Sequence, residues 1–226
     1  SWVVHHRVGD AGEFHALEPA AVRSITFHMV EQPTVVLGSA QPDSDIDSTL
    51  AAALGVSVVR RRSGGGAVLL VPGDYVWADV VIPADDPLWL HDVGRAMVWV
   101  GEWWQRALAT LHVESVVQTG GLEADEWSRR ICWTSLGTGE VTVVGNAAKK
   151  LVGISQRRTR TYARFQTQIH LRWRPELVAA LTAAPRPRAI DLAERAAVVP
   201  GVSAERIRQI EVAAMKKMKT ALLEYA

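Results

Sequence analysis

Three consecutive glycines separate two apolar runs in the stretch VVRRRSGGGAVLLV, residues 58–71, and three arginines precede them. Each apolar run reads as a buried strand, so the chain between them has to bend sharply or lie against something. Glycine permits either. It adopts positive φ without strain, and its missing Cβ lets backbone N–H groups approach a ligand. The arginines can pair bidentately with phosphate or carboxylate. The pattern is not the phosphate loop that opens a helix, since a Lys-Ser/Thr pair is absent and a strand follows. It is not a dinucleotide fingerprint either. Two readings stand from the residues: a tight strand-to-strand turn, and a loop that cradles a ligand.

The 226 residues suffice for one large domain or a domain with a small appendage. Residues 32–38 read as a short strand, and residues 43–55 as a helix with acidic residues in its first turn and Gly55 as its stop. AVLLV, the turn PGD and YVWADVVIP together predict an antiparallel hairpin. From Asp92 to about Leu111, apolar residues recur at three and four, the stripe of a long helix that includes Val93, Met97, Val100, Trp104 and Leu108. VESVVQ, ICWTSL, EVTVVG, KKLVGISQRR and RFQTQIHLRW predict further strands, and PELVAALTAA a helix opened by Pro175. Strands interspersed with helices predict an α+β fold, a mixed or antiparallel central sheet flanked by helices. Residues 1–184 are expected to form the core. APRPR (184–188) is the candidate linker, and residues 185–226 a C-terminal helical extension packed on the core. In that extension Ser203 caps a helix running to about Glu224, with Ile207, Ile210, Ala214, Met218 and Leu222 on one stripe.

The net charge is only +1, so nothing global demands nucleic acid. Locally, six basic residues and no acidic one lie between Lys149 and Arg164. With Arg60, Arg61 and Arg62 they make two basic stretches suited to a phosphate or an acidic partner. In an extended strand Lys150, Val152, Ile154 and Gln156 share one face, while Leu151, Gly153, Ser155 and Arg157 share the other. A lysine within such a strand is costly to bury without a counter-charge. The single Cys132 excludes an internal disulfide and a cysteine metal cluster, and it suits a cytoplasmic location. The histidines show no metal-ligand spacing. No apolar run approaches the roughly 18 residues that cross a membrane, and no leader is evident. Trp99, Trp103 and Trp104 are expected in the core or in the wall of an apolar tunnel.

As a pair, RRRSGGGAV and, far downstream, KKLVGISQRR resemble the two signature segments of the lipoate–protein ligase A family, which belongs with biotin ligases and octanoyltransferases. PTVVLGSAQ (33–41) and GEVTVV (139–144) resemble its flanking strands, in the right order. The resemblance covers roughly residues 33–175. It implies an enzyme that holds lipoate or octanoate in an apolar tunnel, activates it with ATP and Mg2+ as the acyl-adenylate, and transfers it to a lysine of a lipoyl carrier domain. Such carriers belong to 2-oxoacid dehydrogenases or are the glycine cleavage H protein. By the same resemblance Ser63, Gly64, Gly65, Gly66 and Ala67 lie along the adenylate and Arg61 faces it. Lys150 matches the essential lysine, whose fixed charge meets the charge that builds up during attack. Gly153 lets the backbone pass close to the ligand, and Glu140 is a partner for the nucleotide or its metal.

The sequence also departs from that family. Leu69, Leu70 and Val71 stand where many members carry an aromatic residue, His and Asp. RFQTQIHL replaces a His–Gly pair, with His170 nearby but out of register. The accessory domain of larger ligases is not evident, which leaves room for a separate accessory-domain protein. Cys132, followed by Trp133, resembles the nucleophile of a branch that takes octanoyl groups from acyl carrier protein through a cysteine thioester. The other reading of Cys132 is a small buried apolar side chain. Three functions therefore stand: ATP-dependent lipoate ligation, octanoyl transfer through Cys132, and a non-catalytic homologue that binds the ligand.

Overall fold

The structure, a computed structural model, describes residues 2–145, 149–199, 201–209 and 212–213. In chain order the elements are β1 (Val3–Gly9), α1 (Ala11–Ala16), β2 (Ser24–Val30), β3 (Thr34–Leu37), α2 (Ser48–Ala53), β4 (Ser57–Arg60), β5 (Val68–Leu70) and β6 (Tyr75–Pro83). There follow α3 (Val93–Ala109), β7 (Ser115–Val117), β8 (Val141–Val143), β9 (Lys150–Arg158), β10 (Tyr162–His170), α4 (Pro175–Leu181) and α5 (Ala189–Ala193). Seven strands form one sheet in the order β1-β2-β6-β10-β9-β8-β7, antiparallel except for the β1–β2 pair. A small second sheet has the order β4-β3-β5. This is the mixed sheet flanked by helices that the sequence predicts.

Strand β6 explains the layering. All nine of its residues are buried, because it sits between β2 and β10 with both faces covered. On one face α3 packs Val100, Trp103, Trp104 and Leu108 against Ile25, Val80, Ile82 and Phe165. On the other, Tyr75 and Trp77 meet Phe14 of α1 and Val36 and Leu70 of the small sheet. Behind the small sheet, α2 and α4 close a third core through Ala51 and Leu181. Asp79 lies in the middle of β6, only 3% exposed. It is matched there: Arg164 donates from Nε at 2.8 Å, Trp77 Nε1 donates at 2.8 Å, and His28 Nε2 stands 3.0 Å away. Burial alone would raise the Asp79 pKa, but His28 and Arg164 outweigh it and hold the carboxylate below its usual range. Arg164 also donates to the carbonyls of Phe14 and Leu17, which ties the end of α1 to the sheet.

Three local expectations change. The 71–74 turn forms, with Asp74 N–H on the Val71 carbonyl at 3.0 Å, but β5 and β6 do not pair as a hairpin. Leu70 pairs with Thr34 of β3, whereas Tyr75 pairs with His170 of β10. β6 already has a strand on each side, so β5 finds its partner in the second sheet. Residues 43–45 form a 3-10 turn, not the start of the helix. Their carboxylates are drawn off by Arg60 and Arg130, and Asp47 is the residue that caps α2, accepting from Leu50 N–H at 2.9 Å. ICWTSL is a 3-10 turn (Cys132–Thr134) in place of a strand, because its backbone partners are the glycine loop and a lysine.

Beyond α4 several of the described residues contact the rest of the protein. Arg130 donates to the carbonyls of Ala183 and Pro185, each at 2.6 Å, and Trp173 Nε1 donates to that of Leu192 at 2.9 Å. Val199 and Ile207 enter the main core. Ser203 Oγ accepts from Arg206 N–H at 3.2 Å at the head of the helical turns over 204–209. Ile210, Ala214, Met218, Leu222 and Glu224 lie outside the described residues. Among the described residues no helix is long and apolar enough to cross a membrane.

Candidate active site

The three arginines point three ways. Arg60 donates to the carbonyls of Gly38 at 2.7 Å and Gln41 at 2.5 Å and pairs with Asp43, which fixes the loop after β3. Arg62 pairs with Glu18, where Arg157 and Tyr162 also converge. Arg61 is buried and folds back on its own loop, donating to the carbonyls of Gly64 at 2.8 Å and Gly66 at 2.9 Å. The glycine loop is thus held from inside and docked outside. Ala67 N–H donates to the Arg130 carbonyl at 2.9 Å, and Cys132 N–H to the Ala67 carbonyl at 3.0 Å. A Cβ on Gly66 would stand 2.6 Å from the Ile131 nitrogen, so only glycine lets backbone lie on backbone here. The triplet is not a tight strand-to-strand turn, because β3 lies between β4 and β5: Gly66 packs against the chain, while Gly64 and Gly65 line a slot.

Lys150 opens β9, and a bulge decides where it points. Val141 pairs with Val152, but Thr142 pairs with Lys150, so Leu151 is the extra residue. The bulge moves Lys150 off the Val152 face and under Gly153, whose missing Cβ would lie 3.4 Å from Lys150 Cε. Simple alternation therefore puts Lys150 on the wrong face. The same gap at Gly153 leaves room for Trp133 and Glu140. Lys150 is 2% exposed and its ammonium is matched three times: Glu140 Oε1 at 2.7 Å and the carbonyls of Cys132 and Ser135 at 3.1 Å each. Trp133 adds its ring face 5.3 Å away. Burial would push the amine's pKa down, but Glu140 and then Cys132 outweigh it, and the net direction is up. Glu140 is matched in turn, with Oε1 accepting from Ile154 N–H at 3.1 Å and Oε2 from Gly137 N–H at 2.7 Å. Cys132 is the joint of the site. Its N–H binds the glycine loop and its carbonyl binds Lys150.

These pieces wall a slot of about 390 Å3 on the face of the large sheet toward the small one. Toward β8 and β9 it is bounded by Cys132, Trp133, Ser135 and Glu140, with the first turns of α3 supplying Gly94 and Met97. Arg61, Gly64, Gly65, Gly153 and Ser155 line its middle. Toward β6 and β10 it runs between an apolar roof of Val36, Val68 and Leu70 and a floor of His15, Trp77, Gln166 and Gln168. The arrangement is a long, partly apolar groove with one end beside a fixed ammonium group, suited to a carboxylate or its activated form. A family model for the lipoyl protein ligase A/B catalytic domain matches residues 14–223. This chain belongs to that family.

Solved structures similar to this lipoyl ligase domain share its fold at low identity. One is the bi-partite lipoate protein ligase of the Thermoplasma acidophilum lipoylation system, described with its E2 lipoyl domain. It has a TM-score of 0.72 and 16% identity, over 94% of this chain and 82% of that one. A putative lipoate protein ligase from T. acidophilum with bound lipoic acid has a TM-score of 0.71 and 17% identity, over 96% and 84%. A lipoate-protein ligase A bound with ATP has 0.68 and 17%, over 92% and 77%. No curated protein matches the sequence.

Within the lipoyl ligase domain the residues singled out from the sequence lie as follows. Ser63 Oγ is 3.2 Å from Ser155 Oγ, which ties the loop to β9. Cys132 is half-buried on the slot wall. Glu140 borders the slot, but both its oxygens are engaged by Lys150 and backbone N–H groups. Lys150 lies behind the wall that its own partners form. His170 is buried between Trp133 and Trp173, with ring centroids 4.3 Å and 5.0 Å away, and does not line the slot. Trp103 and Trp104 belong to the core under α3, and the slot wall on that side is Met97. His15 and Trp77 were not legible, since no motif marks either. Gln166 and Gln168 do carry a signal: Arg164, Gln166, Gln168 and His170 alternate along one strand, a polar face on an otherwise apolar run.

Proposed function

We propose that this domain is a lipoate–protein ligase that activates lipoate with ATP and passes the lipoyl group to a lysine of a lipoyl carrier domain in the cytoplasm. The observation that carries the reading is the Cys132 joint, which ties the glycine loop that lines the slot to the Lys150 ammonium held directly behind the slot wall. The fold relatives described with lipoic acid, with ATP and with an E2 lipoyl domain support the choice of ligands and acceptor. In the first step a lipoate oxygen attacks the α-phosphorus of ATP and the bond to pyrophosphate breaks. In the second the carrier amine attacks the acyl carbonyl and the bond to AMP breaks. Lys150 faces the oxygens that gain charge in both steps by exchanging the Cys132 or Ser135 carbonyl for the ligand, while Glu140 holds its stem in place. Among the described residues no three His, Cys, Asp or Glu side chains converge, and both Glu140 oxygens are engaged, so a Mg2+ ion would be held chiefly by the phosphates of ATP. No step here runs through one.

Purified protein with ATP and lipoate is expected to form lipoyl-adenylate and to label an added carrier domain. Lys150→Ala should lower that rate by about a hundredfold or more, with folding checked by circular dichroism because Glu140 loses its partner. No adenylate from the wild type, together with an unchanged Lys150→Ala variant, overturns the reading. One observation favours a second route: Cys132 borders the slot beside Lys150. There the thiolate attacks the thioester of octanoyl-acyl carrier protein and releases the carrier thiol. Incubation would then leave an octanoyl mass on the protein that Cys132→Ser abolishes. Ligand binding without turnover in either assay identifies a non-catalytic homologue.

A further inference from the structure

The floor of the slot toward β6 and β10 carries polar side chains that the Lys150 chemistry does not use. Gln166 Nε2 lies 3.2 Å from His15 Nδ1. An amide nitrogen only donates, so Nδ1 accepts and the ring proton sits on Nε2. His15 is neutral throughout the working range, because burial lowers its pKa to about 3. Its ring stacks on Trp77, with centroids 4.6 Å apart, which fixes its orientation. Gln166 Oε1 takes the Ser63 hydroxyl at 3.5 Å. Next along β10, Gln168 lines the slot, and its Nε2 is buried with no hydrogen-bond partner among the described residues. Facing these groups is a roof of Val36, Val68 and Leu70, which offers nothing polar.

We propose that this half of the slot selects a carboxylic acid whose distal chain carries a hydrogen-bond acceptor, in preference to a plain hydrocarbon chain of equal length. The inference rests on the reading of the slot as an acyl site with the carboxyl end beside Lys150. Its physics is separate. A methylene against an apolar wall discriminates weakly, whereas a site with buried donors penalises an occupant that leaves them unmatched. Ring sulfurs are weak acceptors and an ether or hydroxyl oxygen is a stronger one, so lipoate ranks above octanoate and an oxygen-bearing chain above both. A chain ending in an ammonium group would bury a charge with no counter-charge beside it and is rejected.

The test is calorimetric titration of the full chain, with and without ATP, using three acids of matched length: decanoate, ω-methoxyoctanoate and ω-ammoniononanoate. The methoxy acid is expected to bind at least about tenfold more tightly than decanoate, and the ammonio acid not at all. In Gln168→Leu, with its fold verified by thermal melting, the methoxy-to-decanoate preference should shrink several-fold through weaker methoxy binding and retained decanoate binding. Should that variant misfold, the wild-type ratio decides alone. Decanoate binding as tightly as the methoxy acid overturns this inference and leaves the ligase reading intact. If none of the three acids binds, with or without ATP, the acyl-site reading falls as well.

Discussion

The two ends of the slot solve opposite problems. Toward β8 and β9 stands a full ion pair in a dry wall, with each Lys150 proton and both Glu140 oxygens matched inside the protein. Toward β6 and β10 no ion sits at the surface of the slot, yet Gln168 keeps an amide without a partner. The end that carries charge is closed on itself, and the end made of neutral residues has capacity to spare. An ion left bare in a low-dielectric wall is far costlier than a spare amide, so the chain satisfies the first and leaves the second for its ligand. Charge therefore marks where chemistry is held, and leftover neutral donors mark where an occupant is read.

Legibility follows the same division. The charged end was visible from sequence because glycines, arginines and a lysine within a strand violate ordinary strand composition, and such violations need a cause. The exact face of Lys150 was not visible. A one-residue bulge at Leu151 leaves no mark in composition, and it reverses the alternation on which the face assignment relied. The neutral end was hardly visible. His15 belongs to a six-residue helix, and its neighbours Trp77 and Gln166 come from strands far along the chain. Only the fold brings them together. The sheet itself was legible strand by strand from β7 to β10 apart from ICWTSL, whereas the 70–75 corner was not, because which strand has a free edge is a property of the whole sheet.

The sharpest way to break the charged end leaves its charges untouched. Gly66→Ala puts a methyl 2.6 Å from the Ile131 nitrogen and 2.7 Å from its carbonyl carbon, both backbone atoms that cannot swing aside. The docked segment must separate, and Cys132 with it, so Lys150 loses its alignment. A loss of about 3 kcal/mol is expected in urea denaturation, together with lost adenylate formation. Gly64→Ala meets nothing within 4 Å and should cost far less stability. Equal effects for the two would show that the loop does not depend on its seat against residues 131–132.

Acid separates the ends next. His15 and His170 both have pKa values lowered to about 3, in each case chiefly by burial. Around His15, Asp79 opposes that shift while Arg164, Arg61 and His28 add to it; beside His170, Lys150 adds to it. The unfolded chain takes up protons near pH 6.5 that the folded chain refuses until about pH 3, so stability falls as pH drops through that window. Between about pH 7 and about pH 5 each ring costs at most about 2 kcal/mol. His170→Phe keeps the stack between Trp133 and Trp173, so it should lose that much less stability over the same interval. Unfolding curves at the two pH values measure it, and an unchanged slope would mean that the ring is not held neutral.

The arginines give the finest contrast, because three neighbouring residues of one type occupy three environments. Arg61 is 5% exposed and holds two carbonyls of the glycine loop, so Arg61→Ala removes hydrogen bonds from a charged donor and leaves buried acceptors unmatched. Arg62 is largely in water, and its partner Glu18 keeps Arg157 and Tyr162 when it is gone. Arg62→Ala should therefore cost under ~1 kcal/mol, and added salt should shrink even that. Arg61→Ala should cost about 1.5–3 kcal/mol and be nearly indifferent to salt. Measured side by side, the pair tests whether the basic run is one phosphate-facing patch. If it is, both substitutions weaken ATP binding alike and both effects fall with salt; if the loop is held from within, only Arg61 matters to the slot, and it matters through the shape of the loop.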